Sequence, residues 1–284
     1  MPLAKELVLG YATLSGTGQN ALTAGSGQSF TIRNFSTGEA RLLEVVGADS
    51  VGAFTMQIKS PKMHDTTYGI QFASTPKNYG GTSTFNPQSL LPSYASQKLY
   101  ATDTLTWTMA GANADVVAGT LDIYYTDLSG IAARLYSWQT IEPLIVNLAA
   151  VTVTPATSGT GGAWGTAAAL NSGNYNLKAN TDYAILGYQV QQPCVAVAFQ
   201  GTDTGNLLIG GPGNGNAALN GAYFVDESVK YMGTPFAQQI PVFNSNNAPG
   251  FTVNVANLNT SANIIVSLTV AQLSQLLPSP GGVV

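Results

Sequence analysis

Short runs rich in Val, Ile, Thr, Tyr and Phe recur along the chain, and Gly or Pro separates them every few residues. Several runs alternate apolar and polar positions, which places the apolar side chains on one face of a β-strand. The predicted strands are residues 30–33, 41–46, 53–58, 104–109, 120–125, 183–190, 195–199, 251–255 and 263–270. Helical spacing is rare and predicts three turns over residues 128–138 and two over residues 270–277. The pattern predicts an all-β fold with few short helices.

A repeat spans about half the chain. The segment Ser15-Gly16-Thr17-Gly18 recurs 143 residues later as Ser158-Gly159-Thr160-Gly161. Pairs with the same interval are Leu42 and Ile185, Phe54 and Val197, Met56 and Phe199, Pro92 and Pro235, Leu121 and Ile264, Ile123 and Val266, and Tyr125 and Leu268. Two β-rich halves can also align through alternation alone, which is the competing interpretation. The preferred one is two similar β-domains in tandem, residues 1–141 and 148–284, with a linker at 142–147.

Each half has the same order of predicted features. A short first strand precedes a Gly/Ser/Thr loop and two or three core strands, and a long polar excursion, residues 60–96 or 201–239, precedes two closing strands. Long insertions of this kind commonly carry recognition or assembly contacts. Strands of this number and spacing suit a jelly roll, in which eight strands form two facing sheets. An immunoglobulin-like sandwich is the alternative.

Charge is unusually scarce. Charged residues make up 8% of the chain and hydrophobic residues 45%, with a formal net charge of −4 and no block of like charge. Nucleic-acid-binding domains cluster Lys and Arg, so no specific nucleic-acid binding is expected. A surface so poor in charge lacks mutual repulsion, which favours self-association. The N-terminal residues lack a signal-type pattern, and no stretch has the length of a membrane span, so the sequence predicts a soluble protein without a cleaved leader.

Residues that could perform catalysis are few. His64 is the only histidine, and Asp65 beside it could orient the ring, but the segment after a proline with two lysines favours an exposed loop. Cys194 lies among apolar residues and is predicted to be buried. The acidic pair Asp226-Glu227 does not have the spacing of a calcium-binding loop. Residues 210–215 are rich in glycine but lack the ending of a phosphate-binding loop, so they are predicted to form a flexible loop. We therefore predict no enzyme, with no catalytic, cofactor-binding or metal site.

Aromatic side chains keep a sugar-binding function open. Trp107 lies in an alternating strand and is predicted to be in the core, whereas Trp164 lies in a Gly-rich segment and is the better candidate for exposure. Tyr223 and Tyr231 are further positions at which a sugar could stack. A carbohydrate-binding adhesin would need one of these to form an exposed platform.

The two β-rich halves, each with a long excursion before its closing strands, resemble the double jelly-roll major capsid proteins of tailless icosahedral viruses, including phages with an internal membrane. The resemblance spans the whole chain, rests on architecture and composition, and includes no diagnostic motif. It implies a coat protein made in the host cytoplasm and incorporated in the virion, with three copies forming a nearly hexagonal trimer. The partners it implies are further copies of the chain, other virion proteins and, in some phages, a membrane beneath the shell. At 284 residues the barrels must be lean, so the loops around Gly80-Gly81 and residues 210–215 are the candidates for the outer surface.

Three other classes use similar sequences. A spike, vertex or decoration protein of a virion would have the same composition, and a lectin-like adhesin would bind glycans through its aromatic residues. A glycoside hydrolase would need two facing carboxylates, and no motif marks such a pair.

Overall fold

Antiparallel β-strands dominate a computed structural model of the chain. The structure describes residues 4–35, 37–50, 54–62, 69–73, 88–89, 97–128, 131, 133–192, 194–213, 220–226, 239–258 and 263–278. Within these ranges no helix is long and apolar enough to cross a membrane. The predicted all-β class is confirmed.

The first half of the chain forms two antiparallel sheets. Its strands are β1 (Ala4–Thr13), β2 (Asn20–Ala21), β3 (Thr23–Ala24), β4 (Ala40–Asp49), β5 (Thr55–Lys59), β6 (Ile70–Ala73), β7 (Gln88–Ser89), β8 (Gln97–Leu99), β9 (Thr106–Ala110) and β10 (Val116–Tyr125). One sheet has the order β3-β1-β10-β4-β7, with β8 also paired to β4, and the other has the order β2-β9-β5-β6. Apolar side chains from both sheets form one buried cluster between them.

The second half forms another two antiparallel sheets. Its strands are β11 (Leu135–Tyr136), β12 (Ile145–Val153), β13 (Ala168–Ala169), β14 (Asp182–Val190), β15 (Ala196–Gln200), β16 (Ile209–Pro212), β17 (Asn220–Tyr223), β18 (Ile240–Asn244), β19 (Thr252–Ala256) and β20 (Val266–Leu273). A short helix, α1 (Trp138–Ile141), and 3-10 turns at Glu142–Leu144, Leu170–Ser172, Thr202–Thr204 and Ser245–Gly250 connect them. The sheet orders are β11-β18-β14-β20-β12, with β17 also on β14, and β13-β19-β15-β16.

The strand orders of the two halves correspond. The first half's β1-β10-β4 matches β12-β20-β14 in the second, and β2-β9-β5-β6 matches β13-β19-β15-β16. The strands β1, β4 and β5 begin 141, 142 and 141 residues before their counterparts, close to the predicted interval. The closing strands β9 and β10 begin 146 and 150 residues before theirs, and the second interval is the larger because the connection from β19 to β20 is four residues longer than that from β9 to β10.

That longer connection overturns the three predicted matches on the last strand, and Ile123 shows how. Leu42 pairs with Ile123, whereas Ile185 pairs with Val270. If Leu42 corresponds to Ile185, then Ile123 corresponds to Val270 rather than to Val266. The fixed interval therefore applies to the opening strands of each half and fails at the last one.

Most predicted strands are present, but one is wrong. Residues 30–33 lie beside residues 102–105, and only Thr31 forms a bridge, to Thr104, because the local hydrogen bonds do not continue into a ladder. The predicted strand at 263–270 is present but displaced toward the C-terminus, since β20 spans Val266–Leu273. Both errors lie where the strand joins a loop.

Both predicted helices are wrong because tertiary pairing takes precedence over helical spacing. Residues 135–136 form β11 on β18, and the regular helix α1 begins only at Trp138. Residues 270–273 belong to β20, which lies between β12 and β14 in the sheet. A central strand makes ladder hydrogen bonds on both sides, so its apolar residues are buried without forming a helical face.

In the core of the first half, glycines on adjacent strands leave the space that a tryptophan ring occupies. Gly119 on β10 lies opposite Gly10 on β1 and Gly47 on β4. A Cβ added at Gly10 or Gly119 would lie 2.7 or 2.8 Å from the Trp107 ring, which projects from β9 in the facing sheet. Phe30 packs edge-on against the same ring, with 5.6 Å between centroids. Trp107 is 1% exposed, which confirms its predicted place in the core.

Candidate functional surface

The residues considered for catalysis are not brought together in the described part of the chain. His64 and Asp65 lie outside the described residues, as do Glu227, Tyr231 and the Gly80-Gly81 loop. No group of three or more His, Cys, Asp or Glu side chains among the described residues could hold a metal ion. Asp226 is exposed on the surface.

Many carboxylates of the described residues are held in ion pairs. The pairs are Asp122 with Lys5, Glu6 with Arg33, Glu39 with Arg41, and Asp182 and Asp203 with Arg134. The Arg41 guanidinium beside Glu39 holds the pKa of that carboxyl below its usual range. A carboxylate paired with a fixed cation is a poor general acid at neutral pH. We therefore assign these pairs a structural role rather than a catalytic one.

Arg134 forms the largest of these clusters. Its Nη1 lies 3.2 Å from Asp182 Oδ1 and 3.3 Å from Asp203 Oδ1, and its Nη2 donates to the carbonyl of Leu277 at 3.0 Å. Asn244 Nδ2 donates to Asp182 at 2.9 Å. Burial opposes the charge, but the two carboxylates outweigh it and raise the pKa of Arg134. The cluster joins five separate segments: the one before β11, the start of β14, the turn at Thr202–Thr204, the end of β18 and the residues around Leu277.

Two carboxyl groups lie together at one end of the first half. Asp49 ends β4, Asp115 immediately precedes β10, and both are buried. Burial, together with the charge of Asp49, raises the pKa of Asp115 above its ordinary value of 3.8. The backbone N–H of Ala112 donates to Asp115 Oδ2 at 3.1 Å, and this hydrogen bond opposes part of the rise in the pKa of Asp115.

Asp115→Asn is expected to raise the free energy of unfolding by roughly 0.5–2 kcal/mol at pH 7, in the range typical of charge optimisation. Folded Asp115 holds its proton to higher pH than the unfolded chain, so stability falls as pH rises from about 3.8 to the raised folded pKa. The gain is therefore expected above this window and absent below it. Urea unfolding at a series of pH values measures it, with exposed Asp226→Asn as the control. A gain that is independent of pH would contradict this explanation.

Cys194 and most of the glycine-rich segment 210–215 lie inside the protein. Gly210 and Gly211 belong to β16, where a Cβ at Gly210 would lie 2.0 Å from the Val197 carbonyl, so the predicted flexible outer loop is wrong for residues 210–213. Residues 214–215 lie outside the described part. Cys194 is buried as predicted, and a Cβ at Gly213 would meet its carbonyl at 2.3 Å. Glycine composition alone does not distinguish a flexible loop from a strand in close contact with another backbone.

Trp164 packs between the two halves rather than in solvent. Its Nε1 donates to Gln28 Oε1 at 2.9 Å, and its ring lies against the apolar cluster that joins the halves. Gln28 also accepts from Leu9 N at 3.1 Å and donates to the Leu7 carbonyl. Because the indole N–H is engaged and the ring is partly covered, the expectation of an exposed stacking platform at Trp164 is wrong.

The contact between the halves joins one sheet of each. Its buried members are Leu7, Leu9, Ala48 and Ala118 from the first half, and Val195, Ala196, Ala198, Leu208, Ala256 and Leu258 from the second. The backbone N–H of Leu7 donates to the Leu208 carbonyl at 2.7 Å. Gly162 adopts φ +82°, and a Cβ there would lie 2.8 Å from Tyr11 Cβ. The outer face of the β1-β10-β4 sheet is therefore an internal surface.

The three most exposed of the large apolar side chains among the described residues lie at one sheet edge. Among the described strands, β12 pairs only with β20, and Val146 and Leu148 on it are 56% and 57% exposed. Leu276 is 50% exposed and, with Val146, lines the same surface depression. The strand carries no charged residue, proline or glycine. Exposed apolar edge strands pair readily with other strands, so this edge is the candidate surface for interaction.

The chain matches no family model and no curated protein.

Proposed function

We propose that each half is a jelly roll and that the chain is the coat protein of a virus, specifically a phage. Its copies assemble into an icosahedral shell. The corresponding strand orders of the halves carry this proposal. With β7 and β8 counted as one strand and the two-residue β3 left out, the first half has its first, eighth, third and sixth strands in one sheet and its second, seventh, fourth and fifth in the other. This order supports a jelly roll, and the second half gives the same order, β12-β20-β14-β18 with β13-β19-β15-β16, when β17 is counted with β18 and the two-residue β11 is left out.

The charge composition supports assembly as the function. Charged residues are 8% of the chain, and several of those are consumed in internal ion pairs. A shell subunit buries much of its surface against other subunits, and few charges need to be desolvated on this one. Trimers of six jelly rolls with a nearly hexagonal outline are the arrangement that we propose, by resemblance to the double jelly-roll coat proteins.

Sugar binding is less well supported. Of the aromatic residues considered for stacking, Trp164 is engaged between the halves, and Tyr223 is 40% exposed. Tyr231 lies outside the described residues, and Tyr223 alone does not make the platform that a lectin needs. A virion accessory protein would share the fold and differs from a coat protein in copy number.

Light scattering on a size-exclusion column, followed by electron microscopy of the eluted species, tests the proposal. A trimer or a larger regular particle is expected. A protein that stays monomeric at high concentration would contradict the coat function, and a glycan-binding screen would then be the next experiment.

Leu148→Lys is expected to raise the protein concentration needed for assembly by about tenfold or more. Burying one leucine contributes about 1.5–3 kcal/mol, and about 1.4 kcal/mol corresponds to tenfold. A lysine on an edge strand also opposes pairing with another strand. The concentration dependence of light scattering measures the effect. Tyr100→Lys places the same charge at another exposed apolar residue and is the control. Equal effects of the two variants would show that β12 is not the contact.

A further inference from the structure

Three charged side chains are buried together on adjacent strands of the first half. Lys5 is on β1, Asp122 on β10 and Glu44 on β4, in the sheet order β1-β10-β4. Their exposed fractions are 0%, 2% and 4%. The Lys5 Nζ lies 2.9 Å from Asp122 Oδ2.

The register places all three on one face of the sheet. Asp122 lies opposite Leu7 on β1 and opposite Glu44 on β4. Lys5 is two residues from Leu7 and therefore shares its face. Directly opposed residues have Cβ atoms about 4.5–5.5 Å apart, which brings the Glu44 carboxyl within reach of the Asp122 carboxyl.

This face is covered by the second half of the chain. Leu7 belongs to the apolar cluster between the halves, and the Phe224 ring centroid lies 5.5 Å from Lys5 Nζ. An environment of this kind excludes water and penalises charge. The population of the neutral amine and neutral acid therefore increases relative to that of the ion pair. In its neutral form the Lys5 amine is a nucleophile, and its Nζ lies 2.9 Å from a carboxyl oxygen.

We propose that Lys5 and Asp122 form an intramolecular isopeptide bond. The Nζ lone pair attacks Asp122 Cγ and forms the C–N bond. The C–O bond to the carboxyl hydroxyl then breaks, and that oxygen leaves as water with the hydroxyl proton and one proton from Nζ. The product is a neutral secondary amide. Nothing is oxidised or reduced, and no co-reactant is needed.

Glu44 is the proton carrier in this proposal. Its carboxylate accepts the proton that Nζ loses on attack, and its acid form returns that proton to the departing oxygen. Proton transfer by a positioned side chain accelerates such steps by about 10²–10⁴-fold. Without it, the same reaction would be slower by about that factor.

The bond would connect the first and last strands of the first half, β1 and β10, across the ladder that they already share. It closes a covalent loop from residue 5 to residue 122. The proposal is independent of the coat function, because it rests on groups inside one chain.

The intact mass of the purified full-length protein is the decisive measurement. The expected mass is lower than the sequence mass by one water molecule, and proteolysis should release one branched fragment that joins the peptides of Lys5 and Asp122. A protein at its full sequence mass would overturn the proposal. Loss of water with the two peptides separate would also overturn it, since the dehydration would then lie elsewhere.

Variants separate the bond from other dehydration. Lys5→Arg keeps the charge and removes the nucleophile, so the full mass is expected, whereas the exposed Lys98→Arg should keep the loss of water. Asp122→Asn is expected to lose ammonia in place of water, because the amide nitrogen then leaves. Glu44→Gln should slow or abolish the mass change. If Glu44→Gln forms the bond at the wild-type rate, the assignment of Glu44 as proton carrier is wrong.

Discussion

Arg134→Met lowers the free energy of unfolding by about 3–5 kcal/mol, the range measured when one partner of a buried ion pair is removed. Methionine fills much of the space but leaves Asp182 and Asp203 buried without their cation. It also removes the donor to the Leu277 carbonyl, so the C-terminal residues lose a hydrogen bond to the core of the second half. Urea unfolding followed by circular dichroism measures the loss.

Arg41→Met is the matched control. Arg41 also pairs with a carboxylate, but both side chains of that pair are 37% exposed. Exposed pairs contribute about 0–1 kcal/mol, so the control should change stability little. Equal losses in the two variants would mean that burial of the carboxylates does not determine the effect.

Trp107→Ala is expected to cost about 3–5 kcal/mol, because it leaves a large cavity that the surrounding structure fills only in part. The cavity would face Gly10 and Gly119, which have no side chains to fill it. Phe30 would also lose its edge-on contact with the ring. The loss can be measured by urea unfolding followed by tyrosine fluorescence or circular dichroism.

Trp107→Phe distinguishes volume from hydrogen bonding. The indole Nε1 has no hydrogen-bond partner in the described part of the chain, so phenylalanine removes a buried polar group as well as volume. The phenylalanine variant should therefore lose much less stability than the alanine variant. A similar loss in both would contradict the view that the glycine row is fitted to the ring volume.

Alternation along the chain was sufficient to predict the central strands. The runs at residues 41–46, 120–125 and 183–190 lie in β4, β10 and β14, which form the middle of their sheets. Alternation was insufficient where tertiary contacts decide the backbone. Residues 270–273 satisfy a helical spacing and a strand equally well, and pairing with β12 and β14 selects the strand.

No local pattern in the sequence predicts the buried polar clusters. Arg134 lies in a segment that the spacing assigned to a helix, and its partners Asp182 and Asp203 are 48 and 69 residues away. Trp164 was expected to be exposed because glycines surround it, but those glycines allow its loop to approach the first half closely. One available signal was the outer face of the first sheet, where Leu7 and Leu9 follow Lys5 at every second position, as a doubly covered sheet requires.

The contact between the halves also determines how the molecule can adapt its shape. A change in the angle between the halves would expose the side chains around Leu7 and Leu9 and break the Leu7–Leu208 and Trp164–Gln28 hydrogen bonds together. A hinge motion between the halves would therefore have to break these contacts. In a closed shell, differences in local curvature would have to be accommodated where one copy meets the next, and bending within a subunit would contribute little.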